Sequence, residues 1–198
     1  MNVPGATPLH PGDAAGLIPN LATQQELNEW ERLNILTART WSLSKRVLSR
    51  TDPLDEGYLR KLHRRMFDKT WRWAGKYRTR DGYNLGCAFH QIPERVATLL
   101  GDVRYWVEHN TFDIDESAVR FHHRLVGQIH AFPNGNGRHG RMIADVLVCK
   151  HGRPPFAWGS PDADLVNPGA NREAYMTALH ALDANHNDIR RLLEFARS

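Results

Sequence analysis

The sequence predicts a mostly α-helical fold with one short β-hairpin. Apolar residues recur at helical spacing along most of the chain, as in residues 27–36. One segment, between about Tyr77 and Phe89, instead combines β-prone residues with Asp81-Gly82, a favoured hairpin turn pair. A chain of 198 residues has room for one substantial core, so we expect a single domain.

The individual elements follow from the same patterns. Residues 1–22 are rich in Pro, Gly and Ala and lack an apolar period, so they are predicted to form an extended arm. Residues 23–198 are predicted to form one domain, which begins with a T-x-x-E capping box at Thr23 and Glu26. Apolar stripes, caps and breakers predict helices at about residues 23–49, 55–68, 93–107, 115–129, 138–150, 171–182 and 188–196.

The composition favours an ordinary globular protein of the cytoplasm. The longest apolar runs are only a few residues, so we expect no membrane association. The amino-terminal residues lack the basic and apolar regions of a secretory signal. The two cysteines, Cys87 and Cys149, are far apart and lack the spacing of metal ligands, which is typical of a reduced compartment.

Basic residues are concentrated in the stretch from Tyr58 to Arg80. It contains nine Lys or Arg and one acid, Asp68, in a chain of net charge +4. Such a stretch attracts polyanions, including nucleotide phosphates, although a solvated helix face explains it equally simply. No helix-turn-helix or RNA-binding signature accompanies it, so nucleic-acid binding ranks last among the functions considered.

The segment from Ile129 to Arg141, IHAFPNGNGRHGR, carries the strongest functional pattern. Its order is a helix that ends at the ionisable His130, a Gly-rich loop, and a new helix. A helix amino terminus offers unpaired N–H groups and a positive dipole end, which suit a phosphate. Gly135 and Gly137 allow the backbone to approach a ligand closely. His130 is then placed to take a proton from a nucleophile beside that phosphate.

The polar side chains of the segment extend this interpretation. Arg138 and Arg141 are three residues apart, on one helical face where both can bind anionic oxygens. Asn134 or Asn136 could offer an oxygen to Mg²⁺, the usual phosphate-bound metal. Taken singly, a Gly-rich loop more often just turns the chain, and a lone His is more often structural. Their joint order favours a catalytic site.

The segment resembles the H-x-F-x-[DE]-G-N-G-R-x-x-R signature of Fic proteins. It departs from that signature at Asn134 and matches it at His130, Phe132, Gly135, Asn136, Gly137, Arg138 and Arg141. WRWAGKYRTR is also similar to the segment that leads Fic proteins into their target-docking hairpin, and the whole chain resembles the mobile mystery protein B branch. The resemblance implies a Fic-type helical bundle, with the hairpin as a flap before the active-site helices.

The resemblance also implies an activity. Fic enzymes bind ATP with Mg²⁺, transfer AMP to a Ser, Thr or Tyr hydroxyl of a protein, and release pyrophosphate. His130 would be the general base, and Phe132 would anchor the loop. Phosphorylating relatives carry Lys at position 137 and bind ATP reversed, so Gly137 favours AMP transfer. The nucleotide-binding residues implied by the resemblance are Gly135, Asn136 and Gly137 in the anion hole and Arg138 and Arg141 on the outer phosphates.

The departure at Asn134 leaves alternatives open. Fic proteins usually carry Asp or Glu there as a Mg²⁺ ligand, and a neutral amide lacks the charge that makes such a site tight. A catalytically weak, Fic-like binding module is therefore an alternative. Phosphoryl transfer, other nucleotidyl transfer and removal of AMP are further alternatives that use the same site.

The resemblance raises a question of control. Many Fic proteins are inhibited by a helix with the pattern [ST]-x-x-x-E-[GN], whose Glu pairs with the second motif arginine, here Arg141. No Glu of this chain fits that pattern. We therefore expect no Glu–Arg141 pair and no effect of replacing Glu26, Glu29 or Glu31. A separate, antitoxin-like regulatory partner, restraint by the weak metal site, and a degenerate use of Glu29 or Glu31 remain as explanations.

Overall fold

The computed structural model describes residues 10–81, 85–159, 169–185 and 188–198, and it is mostly helical. A 3₁₀ turn, Phe89–Gln91, leads into α5, and α6 continues directly as a π-helix, Arg124–Ile129. Within these ranges the β-structure is one isolated antiparallel bridge, Leu17 to Trp71. The α-helices are α1 Pro11–Ala14, α2 Gln24–Ser42, α3 Lys45–Arg50, α4 Glu56–Phe67, α5 Ile92–Glu108, α6 Ile114–His123, α7 Asn136–Lys150, α8 Ala170–Ala184 and α9 Arg190–Arg197.

The arm is less extended than predicted. Its described part contains the short helix α1, and the residues after α1 bond to the segment that follows α4. The Ile18 N–H donates to the Thr70 carbonyl at 2.9 Å, and the Arg72 N–H donates to the Gly16 carbonyl at 2.9 Å. Residues 1–9 lie outside the described residues.

The predicted long helix to residue 49 is divided into α2 and α3. At the break, the Ser42 hydroxyl donates to the Arg39 carbonyl at 3.1 Å and the Ser44 hydroxyl to the Trp41 carbonyl at 2.8 Å. These side-chain bonds compete with the backbone bonds that would continue the helix, which explains why α2 ends here.

The expected hairpin between Tyr77 and Phe89 is not seen as paired strands in the described residues. Its turn residue Gly82 lies outside them, in the undescribed stretch 82–84. The two flanks bond instead to residues 129 and 131. Residues 130–141 are called the motif below, and residues 130–135, between the π-helix and α7, are called the motif loop. The Arg78 N–H donates to the Ala131 carbonyl at 3.0 Å, and the Cys87 N–H donates to the Ile129 carbonyl at 3.4 Å. These flanks are therefore part of the wall of the site.

Helix α7 lies at the centre of the molecule, packed against α6, α4 and α3. Gly140 allows the close approach of α7 to the π-helix, since a Cβ atom there would lie 2.5 Å from Val126 Cγ2. The motif loop joins these two elements, so it rests on the most buried part of the fold. The buried apolar side chains of α7 are Met142, Ile143, Ala144, Val146, Leu147 and Val148.

Among the described residues, no helix is both long enough and apolar enough to cross a membrane.

Candidate active site

His130 lies where the π-helix ends, in an uncommon backbone conformation. Its φ of 52° and ψ of 59° are left-handed, which few residues other than Gly adopt. Its N–H donates to the Leu125 carbonyl, five residues earlier, at 3.0 Å. Short π-helical turns occur frequently at functional sites, where they direct one side chain differently from its neighbours.

The hydrogen bonding of the imidazole fixes its tautomer. His130 Nδ1 lies 3.0 Å from the Val126 carbonyl oxygen. Because a carbonyl only accepts, Nδ1 carries the proton and Nε2 carries the lone pair. Burial lowers the pKa of His130 below its ordinary 6.5, the positive charge of Arg78 acts in the same direction, and the bond to Val126 opposes both. The imidazole is therefore a neutral proton acceptor at pH 7.

Asn136 organises the loop through its side chain. Its Oδ1 accepts the Phe132 N–H at 2.9 Å, and its Nδ2 donates to the Phe132 carbonyl at 2.7 Å. Both ends of the amide are used, and the residue is buried. This excludes the Asn136 side chain as the Mg²⁺ ligand that the sequence left open. Any contact of Asn136 with a nucleotide has to come from its backbone N–H.

Two residues of α4, His63 and Phe67, pack against the motif loop. The Phe132 ring stacks on His63 with ring centres 3.7 Å apart. His63 Nδ1 accepts the Gly75 N–H at 3.0 Å, so Nε2 carries the proton and donates to the Asn134 carbonyl at 3.1 Å. Gly135 packs against the second residue, Phe67. The role of His63 could not be predicted from the sequence, because a single His on a helix has no distinguishing pattern.

At position 135 the motif loop accommodates only glycine. Its φ is 77°, and a Cβ atom there would lie 2.5 Å from Phe67 Cζ. Helix α7 therefore begins at Asn136, two residues before the predicted start. No side chain caps it within the described structure, and the N–H groups of residues 136–138 have no partner within a helix. They form a positive amino terminus suited to an anion.

The first motif arginine, Arg138, already has an anionic partner. Its Nη1 lies 2.5 Å from Oε2 of Glu31 on α2. Glu31 is 4 % exposed, and its Oε1 accepts the Trp71 Nε1–H at 2.6 Å. The guanidinium also lies over the Phe67 ring, 5.0 Å from its centre. An α2 glutamate thus contacts a motif arginine, but it is the first arginine rather than the second.

The second motif arginine, Arg141, contacts α8. Its guanidinium lies 5.3 Å from the centre of the Tyr175 ring, and the Tyr175 hydroxyl lies 2.8 Å from His122 Nε2. A Cβ atom at Gly137 would be 3.7 Å from Arg141 Nη1, so this side chain extends back toward the start of α7. The two arginines therefore approach the same helix end, although different neighbouring helices hold them.

The Asn134 side chain has limited capacity for a metal ion. Its Oδ1 accepts the Gly135 N–H at 2.6 Å, which uses part of the oxygen's capacity. No group of three His, Cys, Asp or Glu side chains suited to a metal occurs among the described residues. In the described part of the motif, Asn134 Oδ1 is a neutral side-chain oxygen that a cation could still contact.

One part of the basic stretch lies on the outside of α4. Its side chains line a cleft of about 560 Å³ that also includes Asp68 and Gly75. The basic residues of that cleft are Arg60, Lys61, Arg64 and Arg65. None of these four belongs to the motif, whereas Arg78 of the same stretch contacts the motif residue His130.

Comparison with known proteins assigns the class. Residues 53–148 match the Fic/DOC family model, a range that includes α4, α5, α6 and the whole motif. This part of the chain forms a Fic/DOC family domain, and the mostly helical, Fic-type fold predicted from the sequence is confirmed.

The relatives are distant. The chain is 28 % identical to protein adenylyltransferase fic-1 of Caenorhabditis elegans over 156 aligned residues. The alignment covers 77 % of this chain and 25 % of that protein. The chain therefore spans about a quarter of the length of this relative.

Solved structures share the fold. A Fic-domain-containing signaling protein from Bacteroides thetaiotaomicron has a TM-score of 0.64 at 18 % identity, over 91 % of this chain and 71 % of that one. The effector BepC from Bartonella tribocorum, with bound AMPPNP, has a TM-score of 0.63 at 18 % identity, over 95 % of this chain and 97 % of that one.

Proposed function

We propose that the chain is a protein adenylyltransferase, which transfers AMP from ATP to a Ser, Thr or Tyr hydroxyl of a protein and releases pyrophosphate. The observation that carries the proposal is the state of His130, which is neutral, has its proton on Nδ1, and lies six residues before the uncapped start of α7. The name of the Caenorhabditis relative supports the activity. The AMPPNP bound to BepC supports ATP as the donor.

In the proposed reaction His130 acts as the general base. Its Nε2 removes the proton from the target hydroxyl while the hydroxyl oxygen forms a bond to the α-phosphorus of ATP. The bond between that phosphorus and the bridging oxygen of the β-phosphate breaks, and pyrophosphate leaves. The hydrogen bond from Nδ1 to Val126 orients the ring and stabilises the positive charge that it gains.

The start of α7 would bind the phosphates of the nucleotide. The backbone N–H groups of residues 136–138 and the helix dipole would stabilise the charge that develops on them, since the Gly135 N–H already donates to Asn134 Oδ1. Arg138 and Arg141 would hold the outer phosphates through charge-assisted hydrogen bonds. Because Glu31 occupies one donor of Arg138, ATP has to compete with this carboxylate for the guanidinium.

Mg²⁺ would be held mostly by ATP itself. A bound Mg²⁺ would neutralise phosphate charge, and Asn134 Oδ1 is the protein oxygen in the motif that could contact it. This single neutral donor fits a weak protein contact rather than a tight metal site. We therefore assign the catalytic steps to His130 and the phosphate-binding residues alone.

We also infer that the chain belongs to the mobile mystery protein B branch and works in the cytoplasm. The support is the likeness along the chain, from the arm to the closing EFARS. That branch implies a separate, antitoxin-like regulatory partner. The Glu31–Arg138 pair offers a source of restraint within the chain itself.

One labelling experiment tests the proposal. The protein is incubated with cell lysate and ATP labelled at the α- or the γ-phosphate, beside His130→Ala and the surface control His109→Ala. We expect protein label from the α-phosphate only, unchanged by His109→Ala and reduced about 10²–10⁴-fold by His130→Ala, the usual effect of losing a general base. Label from the γ-phosphate would mean phosphoryl transfer instead. No label at any Mg²⁺ concentration would favour the binding module.

A further inference from the structure

The Arg78 side chain is a buried cation beside the proposed base. Only 2 % of the side chain is exposed. Its Nε donates to the His130 carbonyl at 2.8 Å, and its Nη2 donates to the carbonyls of Ile129, at 3.4 Å, and Cys87. Its Nη1 donates to the Arg80 carbonyl at 3.0 Å.

These bonds satisfy the carboxyl end of the π-helix. The last carbonyls of a helix have no partner within it, and a buried carbonyl without a partner is costly. The Arg78 guanidinium supplies partners for residues 129 and 130, and its own backbone N–H donates to the Ala131 carbonyl at 3.0 Å. Three consecutive carbonyls around the base are thus bound by one residue. A cation at a helix carboxyl end also complements the helix dipole.

The same guanidinium connects the base to the wall of the site. Asp81 Oδ1 lies 3.2 Å from Arg78 Nη1 and accepts the Phe89 N–H at 2.8 Å. A Cβ atom at Gly86, whose φ is 96°, would lie 2.5 Å from His130 Cβ, so this wall and the base are in close contact. Arg78 joins the two by direct hydrogen bonds.

We propose that Arg78 is a positioning residue: its guanidinium caps the π-helix and holds residue 130 in the left-handed conformation that orients the imidazole. Without that cap, residue 130 has a strong preference for a right-handed or extended backbone, which would redirect the ring. The role requires the planar, five-donor guanidinium, because the carbonyls it binds lie in different directions. Charge alone does not suffice. The inference rests on the proposed function, since it supports the base of that reaction.

The test separates geometry from charge. Arg78→Lys keeps the charge and loses most of the donors. The matched control is Arg80→Lys, two residues away in the same segment. Full-length variants are compared by thermal unfolding, by kcat and KM for transfer from α-labelled ATP, and by NMR of the His130 ring nitrogens without nucleotide. We expect Arg78→Lys to lower kcat about 10²-fold, as small misplacements of catalytic groups do, with KM changed less than about threefold. The Nδ1–H tautomer of His130 should give way to a mixture, and Arg80→Lys should match the wild type.

The outcomes distinguish this proposal from the proposed function. A folded Arg78→Lys with wild-type kcat and an unchanged His130 tautomer would overturn the positioning role. If the wild type transfers nothing but the tautomer changes as expected, the positioning role stands and the reaction assignment fails.

A second measurement covers the case in which Arg78→Lys does not fold. In the wild type, the Arg78 Nε–H should exchange with water far more slowly than that of the exposed Arg32, and its resonance should shift as His130 titrates. Exchange as fast as that of Arg32 would overturn the proposal.

Discussion

Replacing Glu31 with Gln should strengthen ATP binding. The Glu31 carboxylate pairs with Arg138 Nη1, the group proposed to bind an outer phosphate. It also places a buried negative charge where the nucleotide brings more negative charge. Both effects oppose ATP, so removal of the charge should favour it. Gln keeps the size of the side chain and an oxygen for the Trp71 Nε1–H, which limits the structural cost.

The magnitude follows from the bond that ATP must displace. A hydrogen bond to a charged group contributes about 1.5–3 kcal/mol, and every 1.4 kcal/mol is a factor of about ten in affinity. Glu31→Gln should therefore lower the Kd for ATP by about ten- to a hundredfold. The sequence alone predicted no Glu–Arg141 pair and no effect of replacing Glu31, but it left open a degenerate inhibitory use of Glu29 or Glu31. The Glu31–Arg138 contact favours such a use of Glu31.

Calorimetric titration with AMPPNP measures this change without turnover. Glu29→Gln is the matched control, because Glu29 lies on the same helix, is exposed and pairs with Arg32 rather than with the motif. Its Kd should equal that of the wild type. If Glu31→Gln binds AMPPNP no more than twofold tighter than Glu29→Gln, the carboxylate does not compete for Arg138 and the reasoning is wrong.

Three further predictions concern the motif. Because burial lowers the pKa of His130 below 6.5, kcat/KM should be constant above about pH 7 and fall in acid as the base takes up a proton. A midpoint of the pH profile of kcat/KM above 6.5 would contradict this. Gly135→Ala should destabilise the protein by about 1–3 kcal/mol in urea unfolding, because its Cβ meets the Phe67 ring, whereas Gly101→Ala, with open space around it, should not. Asn134→Asp should shift the Mg²⁺ dependence of transfer to lower concentration, and an unchanged midpoint would show that residue 134 does not contact the metal.

Much of the fold could be predicted because its signals are local. The capping box at Thr23 and Glu26 is present, and the apolar stripes predicted most helices to within a few residues. The segment of the expected hairpin differs from its prediction because long-range contacts outweigh a local preference there. The flanks of Asp81-Gly82 bond to residues 129 and 131 instead of to each other in the described residues. Their β-prone composition carries no information about that partner.

The candidate site could be proposed from the sequence, but its contacts could not. The motif predicts roles for His130 and the two arginines, because residue type and order carry that information, and those roles stay predictions. It did not reveal that both ends of the Asn136 amide bond to Phe132, that Glu31 pairs with Arg138, or that Arg78 binds the carbonyls of residues 129–131. Each of these depends on which helices are neighbours in space.

A crystal structure of the protein with AMPPNP and Mg²⁺ tests AMP transfer most directly, because it reveals which phosphorus faces the base. We expect the α-phosphorus near His130 Nε2, the outer phosphates on Arg138 and Arg141, and Glu31 displaced from Arg138. A nucleotide bound in the reverse direction, with the γ-phosphorus at His130, would contradict AMP transfer.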